Sequence, residues 1–220
     1  MSRGYGQHCG LARALELVGG RWTLLIVREL LVGPQRYSEL AHGLPGIPSN
    51  VLASRLRELE EAGLVERALQ PRPANGVVYA LTAYGRELEE PVVRLGMWGA
   101  KALGPPAPGT FPGRAALIVA LRGTFDCDAP GVRDLRVEIR LEQVSVNVEV
   151  LERHLTFPEE PSRRGHTVLD TSPETFSELF AGSVDVDDAV AGGRLRVDGS
   201  VREARRFFRV FRLPAPTVGR

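Results

Sequence analysis

Leu52, Leu56 and Leu59 recur at i, i+4 and i+7 in an otherwise polar segment, a narrow apolar stripe that predicts a helix with one face turned to a core. Asn50, Ser54, Arg57 and Glu61 project from the opposite side. Upstream, Tyr37 to Ala41 reads as a short helix that Leu44-Pro45-Gly46-Ile47-Pro48 cannot continue, and Ser49 offers a hydroxyl to cap the next helix. Downstream, Gly63 closes the helix. Two β-rich runs, Leu64 to Leu69 and Val77 to Leu81, then flank a turn in which Asn75-Gly76 is the signal and Arg72 sits near the tip. Short helix, tight turn, second helix and β-hairpin, in that order, make the plan of a winged helix-turn-helix.

The outer face of the second helix is itself polarised. Ser49, Asn50, Ser54 and Arg57 occupy its amino-terminal half, whereas Glu58, Glu60 and Glu61 gather toward the carboxyl end. A helix entering a DNA groove by its N-terminus needs that polarity, because phosphates repel acids. A protein-interaction module built on the same plan is the alternative reading.

A second domain follows a break. Four prolines among residues 104–113 make a stiff extended linker, so the expected division is a winged helix-turn-helix over residues 1–103, a second domain over 114–213 and a tail at 214–220. Ala115 to Leu121 is strand-like. Leu135, Val137, Ile139 and Leu141 alternate with polar residues, as do Val144, Val146, Val148 and Val150, which predicts strands with one buried face each. Thr167 to Asp170 and Arg194 to Gly199 read as further strands. Ser172 caps a short helix with Pro173 in its first turn, a second helical piece covers Asp187 to Ala191, and Val201 to Phe211 is amphipathic. The class is α+β, antiparallel strands covered by helices.

Composition adds bounds. The chain has 220 residues, 43% hydrophobic and 25% charged, an ordinary globular balance, and no apolar run approaches membrane-spanning length. The N-terminus leads into no secretory apolar core, so a cytoplasmic protein with no membrane association is expected. Net charge is +1, with 12 basic against 10 acidic residues before Gly104 and 16 against 17 after it, so basic charge must be patterned rather than abundant. All basic residues but Lys101 are Arg, and with so much Ala, Gly and Pro beside them that bias points to GC-rich coding rather than to nucleic-acid recognition. The four histidines are scattered without metal-ligand spacing, no catalytic motif is present, and no cofactor is expected.

The run Cys9 to Ile26, with Gly33-Pro34-Gln35-Arg36-Tyr37-Ser38-Glu39-Leu40, Pro45-Gly46-Ile47, Leu52 to Glu60 and Tyr79-Ala80-Leu81-Thr82, closely resembles the HxlR family of bacterial transcriptional regulators over about the first hundred residues. The resemblance implies a homodimeric winged helix on near-palindromic double-stranded DNA, the dimer built from a first helix (Leu11 to Val18) and a long helix after the wing (Ala83 to Leu103, with Leu88, Val92, Leu95 and Ala102 in its stripe and a kink at Pro91). Candidate DNA contacts are Ser49, Asn50, Ser54 and Arg57 in the major groove, Arg36 and Arg55 on phosphates, Tyr37 and Ser38 beside them, and Arg72 with Asn75 on the wing. Arg55 could instead pair with Glu29, Glu39 or Glu58. Cys9 matches an N-terminal cysteine of the family, some members of which are thiol sensors, and a place near a helix start favours thiolate. The competing reading is a small buried hydrophobe.

The second half resembles the sterol carrier protein type of lipid-binding fold, through Asp170 to Phe176, Leu179-Phe180-Ala181-Gly182, Ala189, Gly193 to Gly199 and the Phe-rich last helix. Such domains bury an apolar cavity, which implies a hydrophobic small-molecule effector. Phe176, Leu179, Phe180, Phe207, Phe208 and Phe211 would line that pocket, or simply fill a core. Two departures stand out: the Pro-rich linker takes the place of a helix expected before the first strand, and residues 157–164 are unusually polar. A lipid carrier that uses its winged helix for docking, and a redox switch acting through Cys9, are the rival functions.

Overall fold

The computed structural model describes residues 4–70, 76–104, 113–129, 132–142, 144–161 and 166–211. The chain forms two compact units, residues 1–92 and 93–220. The expected linker at 104–113 and the tail at 214–220 fall almost wholly outside the described residues.

The first unit runs α1 (Gly10–Val18), α2 (Thr23–Leu30), α3 (Tyr37–Gly43), α4 (Ser49–Glu61), β1 (Val65–Gln70), β2 (Gly76–Leu81), α5 (Ala83–Arg86) and the start of α6 (Glu89–Ala100). The Leu stripe of α4 is sealed: Leu52, Leu56 and Leu59 are as deeply buried as Ile26, Leu30, Leu40, Leu44 and Leu64. Each is held by about 1.5–3 kcal/mol of apolar transfer. Gly63, at φ +69°, ends α4, with the Gly63 N–H donating to Glu60 O and the Leu64 N–H to Leu59 O (2.9 Å each), the paired bonds of a Schellman stop. The hairpin pairs Val65 with Leu81 through Gln70 with Gly76. Gln35 adds a bridge to Tyr79 on the far side of β2. The Thr82 hydroxyl donates to Gly63 O (2.7 Å) and accepts from the Gly85 N–H (3.0 Å), joining the end of α4 to α5. A Cβ at Gly85 would lie 2.0 Å from Leu64 O, so no other residue fits there.

Three expectations for this unit need correction. Ser49 is the first residue of α4 and its hydroxyl makes no capping bond; Pro48 holds the cap position. The helix expected over Ala83 to Leu103 is two helices, broken at Glu87 and Leu88. Pro91 therefore sits in the first turn of α6, where its missing N–H has no intrahelical partner to lose, and it starts a helix rather than kinking one. Finally, α2 had no counterpart in the sequence reading. Thr23, Ile26, Val27, Glu29 and Leu30 are all buried, so this short helix lacks the polar face that periodicity needs.

The second unit contains α7 (Arg114–Thr124), β3 (Leu135–Leu141), β4 (Val144–Leu151), β5 (His154–Thr156), β6 (Thr167–Thr171), α8 (Pro173–Ala181), α9 (Val186–Ala191), β7 (Leu195–Asp198) and α10 (Val201–Val210). Five strands form one sheet in the order β5-β4-β3-β6-β7. The alternation is as expected: Val137 and Ile139 of β3 and Val146, Val148 and Val150 of β4 are buried. Helix α10 lies against β3 and β6, α7 against β4, and α9 against β7. Ser172 caps α8 by accepting from the Thr175 N–H, with Pro173 at the first position. Phe125 and Phe211 close the unit through an antiparallel bridge, their rings 5.4 Å apart.

Here too the sequence misled in part. Ala115 to Leu121 belongs to helix α7, not a strand; with Ala115, Leu117, Ile118, Val119 and Leu121 all buried, a continuous apolar run carries no period to choose between the two. The helix that the lipid-carrier resemblance calls for ahead of the first strand is thus present. The sheet is mixed rather than antiparallel, since β3 and β6 run parallel. The three-residue edge strand β5 had no recognisable signal.

Among the described residues of the first unit, Glu29 is the one buried acid, 3% exposed, its Oε1 accepting from Arg28 Nη2 at 2.5 Å. Burial pushes this carboxyl above the ordinary range, with Arg28 opposing. A carboxyl whose folded pKa exceeds its unfolded value of ~4.3 stabilises fully below that value and loses the contribution as pH rises through the folded pKa. Glu29→Gln should therefore gain on the parent as pH rises from about 4 to about 7, measured by urea unfolding followed through helix circular dichroism. A parent that gains on the variant over that range would contradict this account.

Candidate nucleic-acid interface

With 100° per residue, fixing Leu52, Leu56 and Leu59 inward places Asn50, Ser54, Arg57 and Glu61 outward. Ser49, Asn50 and Arg57 are exposed and Ser54 is half-exposed. The Arg57 Nε donates to Ala53 O (3.3 Å), which lays the side chain along the helix. Tyr37 bridges the two helices: its hydroxyl donates to Ser49 O at 2.7 Å and so holds the first turn of α4 against α3. Ser38 is exposed on α3. The Arg36 N–H donates to Glu39 Oε2 (2.6 Å), opening α3. The Arg36 guanidinium lies by the start of β2, where a Cβ on Gly76 would stand 3.5 Å from its Cζ. Arg72 and Asn75 lie outside the described residues.

Arg55 pairs with Glu58, one of the three acids offered as its partner. Its guanidinium rests over Gly20, where a Cβ would come within 3.1 Å of Cζ. Glu58 bridges, its other oxygen accepting from the Ser54 hydroxyl at 3.0 Å. Glu60 is likewise matched by Arg67 at 2.7 Å, and Arg67 also stacks over Tyr79 at 5.3 Å, tying the base of the hairpin to α4. Two of the three acids that crowd the carboxyl half of α4 thus carry arginine partners. Gly20 and Arg67 lie on other elements than α4 and carry no sequence signal for these contacts; the Ser54–Glu58 bond, likewise absent from the sequence reading, has the i, i+4 spacing that could have revealed it.

Cys9 is exposed within the chain, at the N-cap of α1. This overturns the buried-hydrophobe reading at the level of the single chain. Backbone N–H groups at the start of α1, that of Ala12 first and Leu11 second, favour the thiolate and hold the thiol below its ordinary range. Cys127 is also exposed. In the second unit the six candidate ligand residues are all buried. Their rings pack on one another: Phe207 and Phe211 at 4.7 Å, Phe207 and Phe208 at 5.1 Å, Phe176 and Phe180 at 5.4 Å, and Phe176 and Phe208 at 5.7 Å. Among the described residues, no three His, Cys, Asp or Glu side chains gather to hold a metal ion, and no helix is long and apolar enough to cross a membrane.

A tight α3–α4 pair followed by a β-hairpin is a winged helix-turn-helix, and comparison with known proteins gives its family. The HxlR-like helix-turn-helix pattern matches residues 17–106. The HTH-type transcriptional regulator Rv3095 of Mycobacterium tuberculosis is 47% identical over 100 residues, 44% of this chain and 63% of the regulator, so this chain spans less than two thirds of that relative's length. YvaP, an HTH-type transcriptional regulator of Bacillus subtilis, is 36% identical over 93 residues, covering 42% of this chain and 86% of YvaP. The reduced form of the transcriptional regulator YodB from B. subtilis is 33% identical, with a TM-score of 0.39, over 46% of this chain and all of that one. The chain belongs to the HxlR-like helix-turn-helix family. These relatives are named as regulators of transcription, not as enzymes.

The exposed, thiolate-favouring position of Cys9 has a direct chemical readout. At neutral pH, alkylation of Cys9 by iodoacetamide, followed by mass spectrometry of its peptide, should run faster in the native chain than in the urea-unfolded chain. Equal rates, or a slower native rate, would show that the start of α1 does nothing for the sulfur.

Proposed function

We propose that this protein is a dimeric bacterial regulator that reads near-palindromic double-stranded DNA and answers to an apolar small molecule taken up by a sterol carrier protein-like C-terminal domain. The observation that carries the DNA reading is the outward face of α4: Asn50, Ser54 and Arg57 stand opposite a fully buried Leu stripe in a chain whose relatives are transcriptional regulators. Ser49, Asn50, Ser54 and Arg57 enter the major groove by the N-terminal half of the helix. Arg36 holds a phosphate from the start of α3, Tyr37 sets the pitch of α4, Ser38 flanks it, and Arg72 with Asn75 reaches the backbone or minor groove from the wing. Arg55 is engaged with Glu58 and does not lead in this scheme.

Dimerisation is supported by apolar side chains left in solvent: Leu11, 70% exposed, with Leu15 on α1, and Trp98, 71% exposed, with Leu95 on α6. Large exposed apolar groups on two helices are what a second copy would cover. Half-sites should then lie ~34 Å apart. The effector reading draws on the helix ahead of the first strand and on the buried aromatic group of α8 and α10. It belongs to a cytoplasmic protein without membrane attachment.

A second reading draws on Cys9 alone. An exposed thiol that favours its ionised form suits a sensor of oxidants or electrophiles. In that case Cys9→Ser abolishes the response to oxidant and leaves DNA affinity intact.

Electrophoretic shift of the chain's own upstream region, with and without a hydrophobic cell extract, tests the whole proposal. Arg57→Ala should reduce discrimination between sites, whereas Arg36→Ala should weaken all sequences alike and flatten the salt slope by about one. If the two variants behave identically, the assignment of roles is wrong. If no fragment shifts under any condition, the winged helix has another task.

A further inference from the structure

Ser54 and Glu58 stand one turn apart on α4, and the structure fixes where the serine proton goes. The hydroxyl donates to Glu58 Oε1 at 3.0 Å. Glu58 is in turn tethered through its second oxygen by Arg55 Nη1. The Arg55 guanidinium lies over Gly20, where a Cβ would approach its Cζ to 3.1 Å, and its Nε is buried with no hydrogen-bond partner among the described residues. A carboxylate already anchored by a cation remains an acceptor, so it can receive the Ser54 hydrogen but never give one back. The chain from Arg55 through Glu58 therefore ends on a half-exposed serine whose one donor is spent and whose oxygen keeps only acceptor capacity.

A free serine is indifferent at a base edge, since its hydroxyl rotates to donate or to accept. An acceptor-only serine is not. In the major groove the 6-position of a purine is an amino donor in adenine and a carbonyl acceptor in guanine. The 4-position of a pyrimidine is an amino donor in cytosine and a carbonyl acceptor in thymine. Opposite an amino group the serine oxygen gains a bond; opposite a carbonyl two acceptors confront each other, with the adjacent carboxylate opposing any rotation of the hydroxyl.

We propose that Glu58 is a specificity-determining residue: by holding the Ser54 proton it makes that serine select an amino base, adenine or cytosine, over a keto base, guanine or thymine, at one position of each half-site. This inference rests on the DNA reading proposed above, and adds to it a residue that touches no base itself. The cost of placing an acid on this helix is offset by Arg55, which cancels its charge toward the phosphates.

The test is enrichment from a pool of duplexes with a randomised core, using the full-length chain, Glu58→Ala and Ser54→Ala. The parent should enrich a site in which one base pair per half-site shows an amino-over-keto preference of about fivefold to tenfold, the scale of one directed hydrogen bond. Glu58→Ala should flatten that position to within about twofold and leave preferences elsewhere in the site unchanged. Ser54→Ala should flatten the same position. A general rise in affinity from the released Arg55 would act on all sequences and not on one position. The inference is overturned if Glu58→Ala keeps the amino-over-keto preference, or if the two variants relax different positions. If the parent enriches no sequence at all, the DNA reading fails and this inference falls with it. Unchanged helix circular dichroism and thermal midpoint in Glu58→Ala exclude a folding defect as the cause of a positional change; a collapsed Glu58→Ala is replaced by Glu58→Gln, whose amide can donate to the serine and should flatten the same position.

Discussion

The rotation of α4 about its own axis is the constraint on which the interface depends, and three leucines set it. Leu52, Leu56 and Leu59 are all but inaccessible to solvent. Advancing the helix by one residue would turn every side chain by 100°, taking Ser54 from the outer face to the flank and bringing an acid or an arginine into the core. Truncating any one of these leucines removes about 2–5 kcal/mol, a large share of what a unit of this size retains. The remaining contacts tune what the leucines establish: Tyr37 on Ser49 at one end of α4, the Gly63 stop with Thr82 at the other, and Arg67 on Glu60 from the hairpin.

Electrostatics on this surface works by pairing more than by excess. With a net charge of +1 over the chain, a broad positive field is not available to draw in a polyanion. The structure spends many of its arginines locally: Arg13 on Glu16, Arg28 on Glu29, Arg55 on Glu58 and Arg67 on Glu60 in the first unit, and Arg140 on Glu138, Arg194 on Glu178 and Arg205 on Asp187 in the second. Those of the pairs that are exposed, unlike the ones on the buried Glu29 and Glu138, contribute little to stability. Their effect is to decide which guanidinium groups remain directed outward, and on the outer face of α4 that is Arg57.

Much of this was legible in the sequence where burial was one-sided. The α4 stripe, β3, β4, β7, α8 and α10 show an apolar face against a polar one, and their periods of 3.6 or 2 can be read directly; the hairpin and β6, buried along most of β2 and β6, were legible from β-rich composition and turn residues instead. Where burial was nearly all round, as in α2 and α7, the pattern vanished, and Ala115 to Leu121 passed for a strand. The break at Glu87 and Leu88 left no trace because Thr82 and Pro91 both fit the start of a helix; two starts were read as one helix with a kink. For the interface, position along α4 could be inferred, but partnership could not. That Arg55 would choose Glu58 over Glu29 or Glu39, and that Gly20 would leave room for it, depends on how α4 lies against the turn before α2. Cys9 was ambiguous for a related reason, since a residue at a helix start is exposed or covered according to what packs on the first turn.

The bridge between Phe125 and Phe211 has a bearing on biosynthesis. It joins residues from the beginning and the end of the second unit, and the aromatic group around it draws on α10, the last helix described. While the chain is still on the ribosome, β3 and β4 can emerge and pair as a hairpin, yet their apolar face has no lid until Phe207 and Phe211 have been synthesised. The first unit contains its own core and has no such wait. Nascent chains would therefore carry a finished helix-turn-helix ahead of an open, aggregation-prone sheet for the time needed to translate the roughly 60 codons from the end of β4 to Phe211, on the order of 3–12 seconds at typical elongation rates. A premature stop between the end of β4 and α10 would leave a chain folded at its first unit and carrying an uncovered sheet in its second.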